Sequence, residues 1–265
     1  MDYATLRFES TEGIATVTLN RPEQRNALNL QMCDDLFAVM AALHEPGESR
    51  VILFRGAGPV FCSGADMRER EDKGPDWVRE RRHRAFLAYE AIVNCALPTI
   101  AVVHGPAVGS GCEIATSCDF IVAAEEASFR YPEISWGTVG ATQRLPRIVG
   151  KAMAKELLFT GRKVAAEEAV RIGLANRAVP AGELDAAVLA LARDIAKAPP
   201  LTLRLAKTCV DLGTETDLSR GISIEMMAVE RALADAEWRK GVDAFAARRG
   251  ESRGMTVGDN RDEKR

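Results

Sequence analysis

Short β-branched runs alternate with stretches of helical period through the first two-thirds of the chain. Ile14-Ala15-Thr16-Val17-Thr18-Leu19, bounded by Gly13 and Asn20-Arg21-Pro22, predicts a strand. Across 30–43, Leu36, Phe37, Met40 and Leu43 recur at helical period, and Pro46-Gly47 stops that helix. Val51-Ile52-Leu53-Phe54 predicts a short buried strand ended by Gly56-Ala57-Gly58-Pro59, and the loop Phe61-Cys62-Ser63-Gly64-Ala65-Asp66 follows. A charged helix is expected from Asp76 to about Cys95. Thr99-Ile100-Ala101-Val102-Val103 is another buried strand, then come a glycine-rich turn, a short helix around Glu113, and a strand over Asp119–Ala123. Strands alternating with helices argue for an α/β fold with parallel pairing. The helices are too short and the strands too unevenly spaced for a barrel.

The pattern changes after about Lys197, where Pro199-Pro200 marks a break and the rest reads as helix. Leu201, Leu205, Cys209 and Leu212 form one apolar face, and Ile222, Met226, Val229 and Leu233 form another, before a helix over Trp238–Arg249. These stripes need a partner surface. Residues 1–197 are therefore expected to form the core and 198–265 a helical C-terminal region. Gly250–Arg265 is polar, mixed in charge and expected to be mobile.

Composition narrows the function. With 265 residues, 47% hydrophobic and 28% charged, the chain can bury a sizeable core. A formal net charge of −3 gives no general attraction to nucleic acid or an anionic membrane. No apolar run approaches the roughly 20 residues of a membrane helix, and Met1–Ser10 lacks a secretory pattern, so a cytoplasmic location is expected. The six cysteines are scattered without Cys-x-x-Cys spacing and read as reduced, mostly buried thiols; the three histidines form no i, i+4 metal pair. No metal or redox cofactor is expected.

Candidate chemistry lies in two glutamates 20 residues apart, Glu113 after Gly109-Ser110-Gly111-Cys112 and Glu133 after Arg130-Tyr131-Pro132. Paired carboxylates at turns can divide acid and base work. Glu113 sits just inside a helix start, where free N–H groups could hold a developing oxyanion. The glycines there serve equally for tight helix–strand packing. The Phe61–Asp66 loop also follows a strand and can supply a second N–H from elsewhere in the chain, as an oxyanion hole requires. Asp66 reads at the same time as a helix N-cap, which would fix that loop.

The chain resembles the enoyl-CoA hydratase/isomerase family, the crotonase superfamily. The matching segments are Leu19-Asn20-Arg21-Pro22, Arg25-Asn26-Ala27-Leu28-Asn29, Phe61–Asp66, His104–Asp119, Pro132-Glu133, Thr142-Gln143-Arg144-Leu145, Ala166–Leu174, and Ala244-Phe245 with Arg248-Arg249. The resemblance implies an α/β crotonase-type spiral of ββα units holding an acyl-CoA site. It also implies a helical C-terminal oligomerisation region that makes trimers or pairs of trimers. It places the thioester carbonyl on the N–H groups of Ala65 and Ser110. Glu113 would activate a water for attack at the β-carbon, and Glu133 would supply the proton to the α-carbon. Substrate contacts would come from Gln24, Arg25, Ala27, Ser63, Gly64, Asp66, Met67, Gly109 and Trp136, with Arg248 near the coenzyme A phosphates. The activity implied is hydration of a 2-enoyl-CoA to a 3-hydroxyacyl-CoA.

The chain departs from the family pattern in three places. Ser110 stands where glycine is common, so a side chain narrows the approach. The loop from Gly137 to Ala141 is a few residues short. Trp136 replaces a smaller aliphatic, and is expected to pack under that loop rather than line the acyl pocket. The arginines Arg79, Arg81, Arg82 and Arg84 are expected on a solvated face. An isomerase, or a lyase or hydrolase of the same fold, is the near alternative. A non-catalytic acyl-CoA or RNA binder is the distant one, disfavoured by the acidic balance and the two intact glutamates.

Overall fold

A computed structural model describes residues 2–44 and 47–255, the side chains of residues 244 and 248–255 excepted. Two compact units meet in sequence between Ala198 and Pro199.

The first unit begins with a hairpin that the hydrophobic pattern missed in part. β1 (Leu6–Thr11) pairs antiparallel with β2 (Ile14–Leu19) around Glu12-Gly13, both in left-handed conformation. After α1 (Leu30–His44), β3 (Val51–Gly56) joins β2 in parallel. Next come α2 (Pro75–Val93), β4 (Thr99–Val103), β5 (Pro106–Val108), α3 (Ser110–Ser117), β6 (Phe120–Ala124) and β7 (Ser128–Arg130). The unit closes with α4 (Arg144–Val149), α5 (Lys151–Thr160), β8 (Lys163–Ala165), α6 (Ala166–Arg171), β9 (Arg177–Val179) and α7 (Leu184–Ala196). One sheet has the order β1-β2-β3-β4-β6-β9 and is parallel from β2 onward; a smaller sheet has the order β5-β7-β8.

The two sheets grow together as a spiral. β4 enters the large sheet, β5 the small one, and α3 returns; β6, β7 and α4 repeat this path. Earlier turns follow it with single-residue stubs: Cys62 bridges Ala107 after β3, and Leu28 bridges Ala65 after β2. Each turn therefore delivers a loop and a helix start at the small-sheet side, where Ala65 and Ser110 lie.

Alternation along the strands fills two cores. Ala15, Val17, Ile52, Phe54, Ala101, Val103, Ile121 and Ala123 face the main core with α1, α2 and α3. Ile14, Val51, Leu53, Ile100, Val102 and Val122 face the opposite side, covered by Leu184, Val188 and Ala192 of α7. Burial on both faces is why these parallel strands read as continuous apolar runs. All six cysteines are free thiols, five of them buried, as the scattered spacing predicts.

The second unit contains α8 (Pro200–Gly213), α9 (Leu218–Leu233) and α10 (Glu237–Met255). α8 and α9 pack closely where Gly213 meets Gly221. Ile222, Met226, Leu233 and Leu212 remain about half exposed or more, and a groove of about 560 Å³ runs between Leu205, Cys209, Ile222 and Val229. The helix extends to Met255, past Gly250, where a mobile tail was expected; residues 256–265 lie outside the described residues. Among the described residues no helix is long and apolar enough to cross a membrane.

Candidate active site

The Arg25 loop and the Phe61–Asp66 loop form one surface because a buried asparagine ties them. Arg25 and Asn26 take left-handed backbone at φ 52° and 54°, a region Asn enters more readily than most residues. That turn sends the Asn26 carboxamide inward, with no exposure to solvent. Its Nδ2 donates to the carbonyls of Ala57 at 2.8 Å and Val60 at 2.7 Å, and its Oδ1 accepts the Arg21 N–H at 3.0 Å. Farther along, Leu28 N–H donates to Gly64 O at 2.8 Å and Asp66 N–H to Leu28 O at 2.9 Å. This parallel pairing leaves the intervening Ala65 N–H without an acceptor among the described residues.

Gly64 brings that N–H to the second loop. Its φ is 100°, and a Cβ there would lie 3.0 Å from Val108 O, so the position requires glycine. The same point is 3.9 Å from the Ser110 nitrogen. Ser110 is the first residue of α3, so its N–H is one of the helix's unsatisfied donors. Two free N–H groups from separate loops thus lie side by side. The Ser110 hydroxyl lies within hydrogen-bonding reach of Tyr89, a buried phenol whose pKa is raised by burial and then by the Glu113 charge.

Gln24, Arg25, Ala27, Ser63 and Met67 line a cleft of about 320 Å³ that leads to Ala65. Asp66 borders it, but its oxygens are committed. It accepts from Arg21 at 3.0 Å, from Arg68 twice at 2.9 Å, and from the Arg68 N–H as the N-cap of the turn Met67–Arg70. Burial alone would raise its pKa; the Arg68 and Arg21 hydrogen bonds outweigh it and hold the carboxyl below its usual range. Asp66 braces the loop, as its cap reading predicts.

The two glutamates meet across the short loop. Glu113, buried in the first turn of α3, accepts the Ala141 N–H on Oε1 and faces Arg144 Nη1 at 3.3 Å on Oε2. Arg144 is itself anchored by Glu90 at 2.5 Å and lies 5.8 Å from the Tyr89 ring centre. Glu133 opens the turn Glu133–Trp136 and is buried with no partner for Oε2 among the described residues. Burial raises its pKa, and the Glu113 charge adds to this, against a backbone N–H and Arg82 that pull it down. Gly140 lies so close that a Cβ would stand 2.8 Å from Glu133 Cγ, while the next residue, Ala141, donates to Glu113. The shortened loop therefore touches both carboxylates. Gly109 touches both: a Cβ there would stand 3.1 Å from Glu133 Oε1, its carbonyl accepts from Glu113 N–H at 3.0 Å, and its own N–H donates to Arg130 O at 2.9 Å.

Three expectations need correction or fall outside the description. Trp136 is 68% exposed and does not pack under the loop, because the turn Glu133–Trp136 carries it to the surface. Arg81 is 1% exposed and donates to Leu28 O, so the arginine cluster is not wholly a solvated face. The Arg248 side chain lies outside the described residues. Arg144 and Tyr89 carry contacts to the glutamate pair that the sequence analysis missed. Arg144 lay within a quoted motif, but its pairing with Glu113 spans 31 residues and has no local signal.

The arrangement brings together two free backbone N–H groups, a carboxylate bonded to an N–H and a guanidinium, and a second carboxylate whose proton affinity burial raises, within one spiral fold. The chain is 40% identical to the human "Enoyl-CoA hydratase domain-containing protein 2, mitochondrial" over 246 residues, covering 90% of this chain and 84% of the relative. It is 37% identical over 244 residues to the Arabidopsis thaliana "Probable enoyl-CoA hydratase 2, mitochondrial", covering 91% and 81%. The fold superposes on a crystal structure of enoyl-CoA hydratase from Bacillus anthracis with a TM-score of 0.90 at 33% identity, covering 92% of this chain and 96% of the other. The enoyl-CoA hydratase/isomerase profile matches residues 9–252, so loops, glutamates and spiral are read together: the chain belongs to the enoyl-CoA hydratase/isomerase family.

Proposed function

We propose that this enzyme adds water across the 2,3 double bond of an enoyl-CoA thioester to give a 3-hydroxyacyl-CoA. The observation that carries the proposal is the unequal pair of buried carboxylates. Glu113 has an N–H and a guanidinium on its oxygens, whereas Glu133 Oε2 has no partner among the described residues and burial favours its protonated form. Unequal environments of this kind assign a base and an acid.

In this reading the thioester oxygen accepts from Ala65 and Ser110 N–H, each donor stabilising the developing enolate by about 3 kcal/mol. Water bonds to C3 through oxygen while the π pair moves toward the thioester. Glu113 takes the water proton and Glu133 gives its proton to C2. Transfer from Glu113 back to Glu133 resets the pair, so only water is consumed and the scheme includes no metal or redox cofactor. Coenzyme A would follow the cleft of Gln24, Arg25, Ala27, Ser63 and Met67, with Arg248 assigned to its phosphates from the family pattern. The exposed apolar faces of α8 and α9 support a homo-oligomer, a trimer or a pair of trimers, which light scattering would test. A cytoplasmic location is a separate proposal, tested by fractionation.

Loss of the enoyl-thioester absorbance with crotonyl-CoA tests the reaction in wild type, Glu113→Gln and Glu133→Gln. Rapid loss in wild type and loss of activity by about 10²-fold or more in both variants is expected. Full activity in Glu113→Gln would overturn the assignment of the base. One observation favours a second reading, double-bond isomerisation: with both Glu113 oxygens occupied, Glu133 alone could shuttle a proton between C2 and C4. That reading predicts a shifted double bond, no 3-hydroxyacyl product, and activity retained in Glu113→Gln.

A further inference from the structure

Three arginines gather beside the glutamate pair with little negative charge to meet them. Arg70 closes the turn that follows Ala65 and Asp66. Arg81 and Arg82 are neighbours on α2. Arg81 reaches the Leu28 carbonyl, on the strand stub that pairs with Ala65, while Arg82 donates to Val139 O and lies beside Gly140 and Glu133. The cluster thus reaches from the Ala65 segment to Glu133.

The polar inventory around it is incomplete. The Arg70 guanidinium makes no hydrogen bond or ion pair among the described residues, and its buried Nε has no partner. Arg81, almost wholly buried, also leaves Nε unpartnered. Nearby carboxylates are engaged elsewhere: Glu69 accepts from Leu30 N–H at 2.9 Å, Asp66 holds Arg21 and Arg68, and Glu113 holds Arg144. Glu133 feels Arg82, but its chemistry requires the proton. Burial together with the charges of Arg81 and Arg82 disfavours the cationic form of Arg70, and guanidinium does not escape by losing its proton. Buried donors of this kind call for an acceptor, and guanidinium groups match a carboxylate.

Resting on the proposed enoyl-CoA chemistry, we infer that the preferred acyl group ends in a carboxylate, held by Arg70 and by Arg82, which lies beside Glu133. The thioester end is fixed at Ala65 and Ser110, so a tail passing Glu133 enters the arginine cluster. A hydrocarbon tail would leave these donors unmet and desolvate them further. Arg81, anchored on Leu28 O, keeps the field positive from below and is a positioning residue.

The test compares kcat/KM for glutaconyl-CoA, a five-carbon enoyl thioester ending in carboxylate, with that for crotonyl-CoA. The expected wild-type ratio exceeds 10. Arg70→Gln lowers the ratio at least tenfold through KM for the carboxylated substrate, and Arg70→Lys recovers part of it. Equal or better use of crotonyl-CoA by wild type, or an unchanged ratio in Arg70→Gln, overturns the inference. Binding of glutaryl-CoA against butyryl-CoA, saturated thioesters that cannot be hydrated, reads the same preference without chemistry. Tighter glutaryl-CoA binding in a protein that hydrates neither enoyl substrate would refute the hydratase reading alone; equal binding would refute the carboxylate inference alone.

Discussion

Asn26→Ala tests whether one buried carboxamide holds the acyl-site loops in place. The substitution removes donors from Ala57 O and Val60 O and the acceptor of Arg21 N–H, the side chain's three shortest hydrogen bonds at 2.7 to 3.0 Å. Each is partly buried, so about 1 kcal/mol per bond is appropriate. Alanine must also hold φ near 54°, adding about 1 kcal/mol. The sum is roughly 4 kcal/mol, a large fraction of the ~5–15 kcal/mol that usually separates folded from unfolded. Urea unfolding should show the midpoint falling with the slope unchanged. Asn26→Gly relieves the backbone strain but not the lost bonds, so it should recover only about 1 kcal/mol. Crotonyl-CoA turnover should fall as well, because Val60 and Phe61 lead directly into the Ala65 segment. A loss under about 1 kcal/mol with full turnover would refute the reasoning. If Asn26→Gly matched wild type, the backbone conformation alone would account for the site.

Two further predictions follow from the glutamates. Arg144→Gln frees Glu113 Oε2 from its 3.3 Å contact, and a displaced base should lower kcat by about 10- to 100-fold with KM little changed, partly rescued by Arg144→Lys; a rise in KM alone would show that Arg144 only binds substrate. Glu133 has its folded pKa raised by burial, so its contribution favours folding fully below the unfolded value near about 4.3 and is lost as pH rises through the folded value. Glu133→Gln should therefore gain stability relative to wild type between about pH 4 and neutrality, read as urea midpoints across that range; a constant or opposite difference would show that the carboxyl is not destabilised by burial.

Much of the fold was legible because it is locally encoded. The runs Ile14–Leu19 and Thr99–Val103 coincide with their strands to the residue, since β-branched residues bounded by turn residues encode them locally. β5, β7, β8 and β9 were not legible: three residues are too few to establish a period, and long-range pairing defines them. The loops of Ala65 and Ser110 announced themselves through glycines that the backbone requires. Arg81 did not. On α2 it sits among Arg79, Arg82 and Arg84, and only its packing under Leu28 O separates it from the solvated members.

Apart from Asn20 Oδ1, the unsatisfied polar atoms of the first unit fall in two places in the fold, the arginine cluster and the Glu133 segment. Of those buried without a partner among the described residues, Arg70 Nε, Arg81 Nε and Glu133 Oε2 all border the proposed acyl path, and the Tyr131 hydroxyl lies two residues before Glu133. Each such atom lowers stability by roughly 1–3 kcal/mol when nothing meets it. Strands buried on both faces and a two-sided apolar core can carry that cost, whereas a marginal domain could not. A cluster of unmet groups inside a well-packed fold marks where an incoming molecule completes the structure. Here the Ala65 segment, Glu133, Arg81 and Arg82 are joined through Leu28 and Gly140, with Arg70 closing the turn after Asp66. A substrate with an oxyanion at one end and a carboxylate at the other would satisfy that set; one with an apolar tail would meet only the backbone donors.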